Sequence, residues 1–143
     1  MKLAIDKDPE YLSTLERGLR VLGIFSSQRP EMALSEVAAE VDLSPAVARR
    51  CLNTLVALGY VAKVGKRFAL RPKVLEFGDA FLSSAHIEQI VTPFLQSLRD
   101  DTGDSASMAA RVDDNAMYIA HVSTQRQIRL AAHPGTRFPL HAT

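Results

Sequence analysis

Through Leu98 the chain places most of its apolar residues at helical spacing, broken by two short strand-like runs, and from Ser105 the character changes to strand-like runs. Leu15, Leu19, Leu22 and Phe25 recur at i, i+4, i+7 and i+10, which predicts one buried helical face. Ser13 and Glu16 form an S-x-x-E pattern that predicts a capping box at its start, and Ser26, Ser27 and Pro30 end it. Leu34-Ser35 opens a short second helix with Val37, Ala38 and Val41 facing inward. Asp42-Leu43-Ser44 breaks it. Ser44 before Pro45 then supplies a hydroxyl N-cap and a pre-set φ at the first helical position. That third helix runs to Leu58, where Gly59 offers the stop. Tyr60 to Val64 and Arg67 to Leu70 read as strands joined at Gly65-Lys66, a hairpin with a basic tip.

Past Pro72 the helical spacing returns in Val74, Phe77, Gly78, Phe81, Leu82 and Ala85. A second stripe follows in Ile87, Ile90, Val91, Phe94, Leu95 and Leu98. Pro93 lies within it, so a kink or break near Thr92 is predicted. Ser105 to Val112, Ala116 to Val122 and Ile128 to Ala132 read as strands, the first two joined by Asp113-Asp114-Asn115. The predicted fold class is α+β, in three parts. Residues 11–72 form a winged helix-turn-helix domain, 73–85 a linker helix, and 86–143 the incomplete start of an α+β effector-binding domain. A domain of about 60 residues buries only about 60% of its unfolded surface, and three strands with open edges call for more chain or a partner.

Two short helices, a tight turn and a hairpin make the winged helix-turn-helix pattern. Its third helix has two faces at 100° per residue. Ala48, Cys51, Leu52, Leu55 and Leu58 gather on the core side, and Ala46, Arg49, Arg50, Asn53 and Ala57 on the other. The outer set has the chemistry of a reading face. Small residues allow close approach, guanidiniums fork onto guanine O6/N7 or phosphate, and Asn53 suits adenine N6/N7. Ser44 and Ala46 stand at the helix N-terminus, where backbone N–H groups suit a phosphate. Lys63, Lys66 and Arg67 stand on the wing, within range of minor groove or flanking phosphates. An Arg-Arg pair opposite an apolar stripe is by itself usually a solvated face; the helix before it, the turn, the cap and the basic hairpin favour DNA.

Composition adds one thing. The net charge is only +1, yet Tyr11 to Leu75 carries ten basic against five acidic residues and Glu76 to Thr143 five against eight. A polyanion is the natural partner of the first stretch. One cysteine, Cys51, excludes an intrachain disulfide and reads as a core thiol in a reducing compartment. His86, His121, His133 and His141 lack metal-ligand spacing, and Asp100-Asp101 and Asp113-Asp114 read as helix-end and turn charges. No glycine-rich phosphate loop, secretory signal or membrane-length apolar run is present. The expectation is a cytoplasmic, nucleoid-associated protein that is not an enzyme and needs no cofactor or metal.

The runs LSEVAAEVDLSPAVARRCLNTLVALGYV and KRFALRPKVLEFGDAFLSS resemble the DNA-binding domain and linker helix of the IclR family of bacterial regulators. GLRVLGIFS is similar to that family's first helix and GTRFPLHAT to its glycine-to-PLHAT segment, so the resemblance spans almost the whole chain. Within the family it is most similar to the branch controlling protocatechuate, 4-hydroxybenzoate and β-ketoadipate catabolism. The resemblance implies a homodimer or dimer of dimers on a palindromic promoter operator, and an effector domain that takes a small organic or aromatic acid. It places Ser44, Ala46, Arg49, Arg50 and Asn53 on the reading helix and Lys66-Arg67 on the wing. Val74, Phe77, Phe81 and Leu82 fall on the linker helix implicated in dimerisation, where intrachain packing is the competing role. Met108, Leu140 and His141 are the effector-contacting candidates, with core packing the alternative for Met108. A protein-interaction module that uses the winged fold without DNA is the alternative reading.

Overall fold

A computed structural model describes residues 9–84, 86–124 and 133–142. The chain divides into two compact units, Met1–Leu75 and Glu76–Thr143. The first runs α1 (Ser13–Gly23), β1 (Glu31–Ala33), α2 (Leu34–Glu40), α3 (Pro45–Ala57), β2 (Val61–Val64) and β3 (Arg67–Leu70), then a 3-10 turn at Pro72–Val74. Its sheet has the order β1-β3-β2, both pairings antiparallel. The Gly65-Lys66 turn closes the hairpin at the Val64–Arg67 pair, with Gly65 at φ +60°, the sign that the first position of a type II′ turn requires. β1 carries no alternation and is only three residues long, so the pattern of apolar positions gave no sign of it.

Val21, Val37, Val41, Leu52 and Val61 form the fully buried centre, closed by Phe25, Met32, Ala38, Ala48, Leu55 and Phe68. α2 and α3 bury the residues expected of them, with two exceptions: Leu58 is about half exposed and Cys51 is only half-buried. The expected face of α1 is wrong at two of its four positions. Leu15 and Leu19 are 59% and 57% exposed, while Val21 is fully buried. Val21 sets the inward direction of the helix, which turns Leu15 and Leu19 away from the core, and Phe25 is buried just past the helix end. Nor does Ser13 cap α1. Leu12 is the cap residue, its carbonyl accepting from the Leu15 and Glu16 amides at 2.9 and 3.1 Å without a side-chain bond.

The second unit comprises α4 (Leu75–Ser84), α5 (Ile87–Thr102), β4 (Ala106–Val112), β5 (Asn115–Val122) and β6 (Arg137–Pro139), ending in a 3-10 turn at Leu140–Ala142. The antiparallel sheet β4-β5-β6 packs one face on α5 through Ile87, Leu95, Ala106 and Ala120, with Leu82, Val91, Ile119 and Val122 around them. The break expected at Pro93 does not occur; α5 passes through it unbroken. Proline cannot donate to the Gln89 carbonyl, but Gln89 and Pro93 both lie on the exposed side, where water can replace that bond. Half of the α5 stripe faces outward too: Ile90, Phe94 and Leu98 are exposed. The expected strand at Ile128–Ala132 and the stripe position Ala85 lie outside the described residues. Among the described residues no helix is long and apolar enough to cross a membrane.

Candidate nucleic-acid interface

The turn between α2 and α3 begins with Asp42 at φ +51°, a left-handed conformation that aspartate tolerates better than most residues. The Leu43 amide returns to the Ala38 carbonyl at 2.9 Å, and Arg20 of α1 donates to the Val41 carbonyl at 2.6 Å. These bonds satisfy the end of α2 and fix the angle at which α3 departs. Ser44 caps α3, its Oγ accepting from the Val47 amide at 3.4 Å, with Pro45 at the first helical position. The other end closes in a Schellman motif: the Gly59 amide donates to Val56 and the Tyr60 amide to Leu55, both at 3.0 Å. Gly59 holds φ +83° there, and Lys73 adds a donor to the Leu58 carbonyl at 3.1 Å while lying over the Tyr60 ring. α3 is thus capped at both ends and backed by Leu52.

Ala46, Arg49, Arg50, Asn53 and Ala57 are all exposed, opposite the buried Ala48, Leu52 and Leu55. The Arg49 and Arg50 guanidiniums form no hydrogen bond or ion pair among the described residues, and the same holds for the Lys63 and Lys66 ammonium groups on the wing. Arg67 differs. Its Nη2 lies 2.7 Å from the Glu36 carboxylate and 2.9 Å from the Glu31 carbonyl, so this guanidinium ties the wing to β1 and α2. The same Glu36 oxygen accepts from the Ala33 amide at 2.6 Å, steadying the start of α2. Sequence spacing could not separate Arg67 from Lys66, because its partner stands 31 positions away.

Arg67 also borders a groove of about 530 Å³ with Arg29, Glu31, Glu36 and Glu40, to which α3 contributes nothing. Arg29 sits 2.5 Å from Glu40, whose hydrogen bond and charge hold the guanidinium pKa above its ordinary value. The groove therefore carries paired charge, whereas the α3 face and wing tip carry unpaired positive charge. Only the latter offers phosphates something without first breaking an ion pair.

The remaining candidates are dispersed. Val74 is half-buried and Phe77 and Phe81 are more than half exposed, whereas Leu82 packs on the core of the second unit. Met108 is on β4, and Leu140 and His141 are in the final turn, where the Leu140 amide donates to the Asp114 carbonyl at 3.0 Å. Cys51 is half-buried against the first core. Among the described residues no group of three or more His, Cys, Asp or Glu could hold a metal ion.

Comparison with known proteins places both units. Residues 14–65 match the IclR helix-turn-helix domain, and residues 79–143 match the bacterial transcriptional regulator IclR C-terminal domain. The Pca regulon regulatory protein of Pseudomonas putida is 33% identical over 141 residues, covering 98% of this chain and 48% of that protein. The p-hydroxybenzoate hydroxylase transcriptional activator of Acinetobacter baylyi is 32% identical, covering 94% of this chain and 51% of that protein. The crystal structure of an IclR family regulator from Brucella abortus superposes with a TM-score of 0.84 at 27% identity, covering 98% of this chain and 54% of the other. The chain spans about half the length of the curated relatives it matches. Both family matches fall in order on the two units, and the chain belongs to the IclR family of bacterial transcriptional regulators.

Proposed function

We propose that this chain acts in sequence-specific transcriptional regulation, binding a palindromic operator as a dimer and responding to a small aromatic or organic acid. One observation carries the reading: a rigidly capped helix whose outward face holds two unpaired guanidiniums and an amide between small residues. Ser44 and Ala46 serve the phosphate at the helix start, Arg49, Arg50 and Asn53 the base edges, and Lys63 and Lys66 the flanking backbone. Arg67 acts on DNA through the wing it holds in place. The names of the Pseudomonas and Acinetobacter relatives support a link to aromatic-acid catabolism.

Fluorescence anisotropy of a labelled operator duplex and a random duplex, each at low and moderate salt, tests the reading. A DNA reader shows steep salt dependence and prefers the operator; a protein-interaction module binds neither duplex. Lys66→Ala is expected to weaken binding to both about equally and to reduce the slope of log K against log salt by about one. A loss confined to the operator would move Lys66 from the phosphates to the bases.

Dimerisation rests on exposed apolar surface. Leu75, Phe77 and Phe81 on α4 are all more than half exposed, as are Leu15 and Leu19 on α1 and Leu12 at its start. Surface of that kind is costly to leave in water and marks association sites. Phe77→Asp with Phe81→Asp is expected to convert a dimer to a monomer in sedimentation at micromolar concentration. An unchanged sedimentation coefficient would assign dimerisation to another surface.

A further inference from the structure

The end of α3 is tied to the turn by which the chain leaves the first unit. Leu58 caps α3, and its carbonyl lies beyond the reach of the helix's own amides. Lys73, 15 positions on, donates to that carbonyl from Nζ at 3.1 Å. The same ammonium stands 5.0 Å from the centre of the Tyr60 ring, which is partly buried against the first core. A Cβ placed on Gly59 would lie 3.6 Å from Lys73 Cδ, so the aliphatic stem runs beside the glycine that stops the helix. The backbone adds a third tie, the Arg71 amide donating to the Tyr60 carbonyl at 2.8 Å.

The backbone that carries Lys73 is held as well. Pro72 fixes φ at the start of the 3-10 turn Pro72–Val74, the Val74 amide returns to the Arg71 carbonyl at 3.2 Å, and the Leu75 amide closes on the Pro72 carbonyl. α4 begins at Leu75 with no residue between. Two positions after Lys73 the chain is therefore already in the helix that carries the exposed Phe77 and Phe81. The ammonium suits the end of α3, where the helix dipole is negative. Its charge is spent on the reading helix, unlike those of Arg49, Arg50, Lys63 and Lys66.

We infer that Lys73 is a positioning residue: it locks the end of the reading helix to the start of α4, and through that joint a dimer selects the spacing between operator half-sites. The inference rests on the reading of the chain as an operator-binding dimer. A palindromic site offers two half-sites at one separation, and a dimer matches it only when its two reading helices are held at that separation. One base pair inserted between the half-sites moves them about 3.4 Å apart and turns one against the other by about 35°. A wrongly spaced site is engaged by opening the joint, so the joint adds the free energy of its own bonds to the preference for correct spacing. A cation at a helix C-terminus is worth enough to change that preference by about two- to fivefold in each protomer.

Anisotropy titration on the operator duplex, and on a copy with one base pair inserted between its half-sites, tests the joint. Wild type is expected to prefer the original spacing. Lys73→Met keeps the stem beside Gly59 and loses the charge, and should reduce that preference by about two- to fivefold or more. Lys73→Arg can still donate to the carbonyl and stack on Tyr60, and should restore it. The slope of log K against log salt should stay at the wild-type value in Lys73→Met, whereas Lys66→Ala lowers it. A cap with no further role would lower the urea midpoint and leave the spacing preference as it was. No preference in wild type, or an equal preference in Lys73→Met, therefore overturns the inference. So does a lower salt slope in Lys73→Met, which would put the ammonium on a phosphate. Wild type that binds neither duplex would instead sink the operator reading, and the joint's role with it, so the two failures are distinguishable.

Discussion

Replacing Arg49 and Arg50 together by alanine is expected to abolish discrimination between operator and random duplex while leaving the fold intact. A bidentate guanidinium–base contact carries about 1–3 kcal/mol of discrimination, so even one such contact is a loss of about five- to a hundredfold or more. The residues are adjacent and their effects need not add. The fold should survive because both side chains are exposed and tied to nothing among the described residues, and substitutions at such positions usually stay within about 0.5 kcal/mol. Geometry favours the assignment: from Ala46 to Ala57 the face spans about 16 Å of helix at 1.5 Å per residue, and the major groove admits one α-helix. Anisotropy titrations on both duplexes, with circular dichroism as the folding control, decide it. Unchanged operator preference in the folded double variant would show that another surface reads the bases.

Leu52→Ala is the second large effect, and it acts from behind the same helix. Leu52 is fully buried in the centre formed by Val21, Val37, Val41 and Val61. Truncating a leucine in such a site costs about 2–5 kcal/mol, the transfer of the lost methyl groups plus the cavity left behind. Small domains are stable by only about 5–15 kcal/mol in total, so the first unit should approach its unfolding threshold. Urea denaturation followed by amide-exchange protection of α3 measures the loss for this unit alone. Operator duplex, which binds only the folded form, should restore part of the lost stability. A cost below about 1 kcal/mol would contradict the packing seen around Leu52. The two variants thus separate reading from folding: one loses specificity and keeps protection, the other loses protection first.

The outward face of α3 was legible because a helix packed on a core must repeat its apolar positions about every 3.6 residues, and Ala48, Leu52 and Leu55 reveal the buried side without reference to any other element. The Ser44-Pro45 start and the Gly59 stop were legible for a related reason, since caps are made by residues within a turn of the helix end. α1 was not. Its leucines satisfy the helical period as well as Val21 and Phe25 do, and period alone does not say which of two apolar stripes meets the core. α5 repeats the ambiguity, with Ile87, Val91 and Leu95 inward and Ile90, Phe94 and Leu98 outward. Its continuity through Pro93 depended on which side of the helix met water.

What the sequence by itself determined was local: the order of the helices in the first unit, the caps of α3, the hairpin with its basic tip, and the outward set Ala46, Arg49, Arg50, Asn53 and Ala57. Each follows from interactions within a few residues along the chain. Tertiary structure alone decided which positive charges remain unspent, because Arg67 finds Glu36 and Lys73 finds the end of α3 only after the chain has folded back. It also decided which residues of β4 and β5 face each other, since the pairing slips between Met108 and Ala109 and such a slip exists only between two strands. Period and caps are properties of a segment; ion pairs and strand register are properties of two segments in contact.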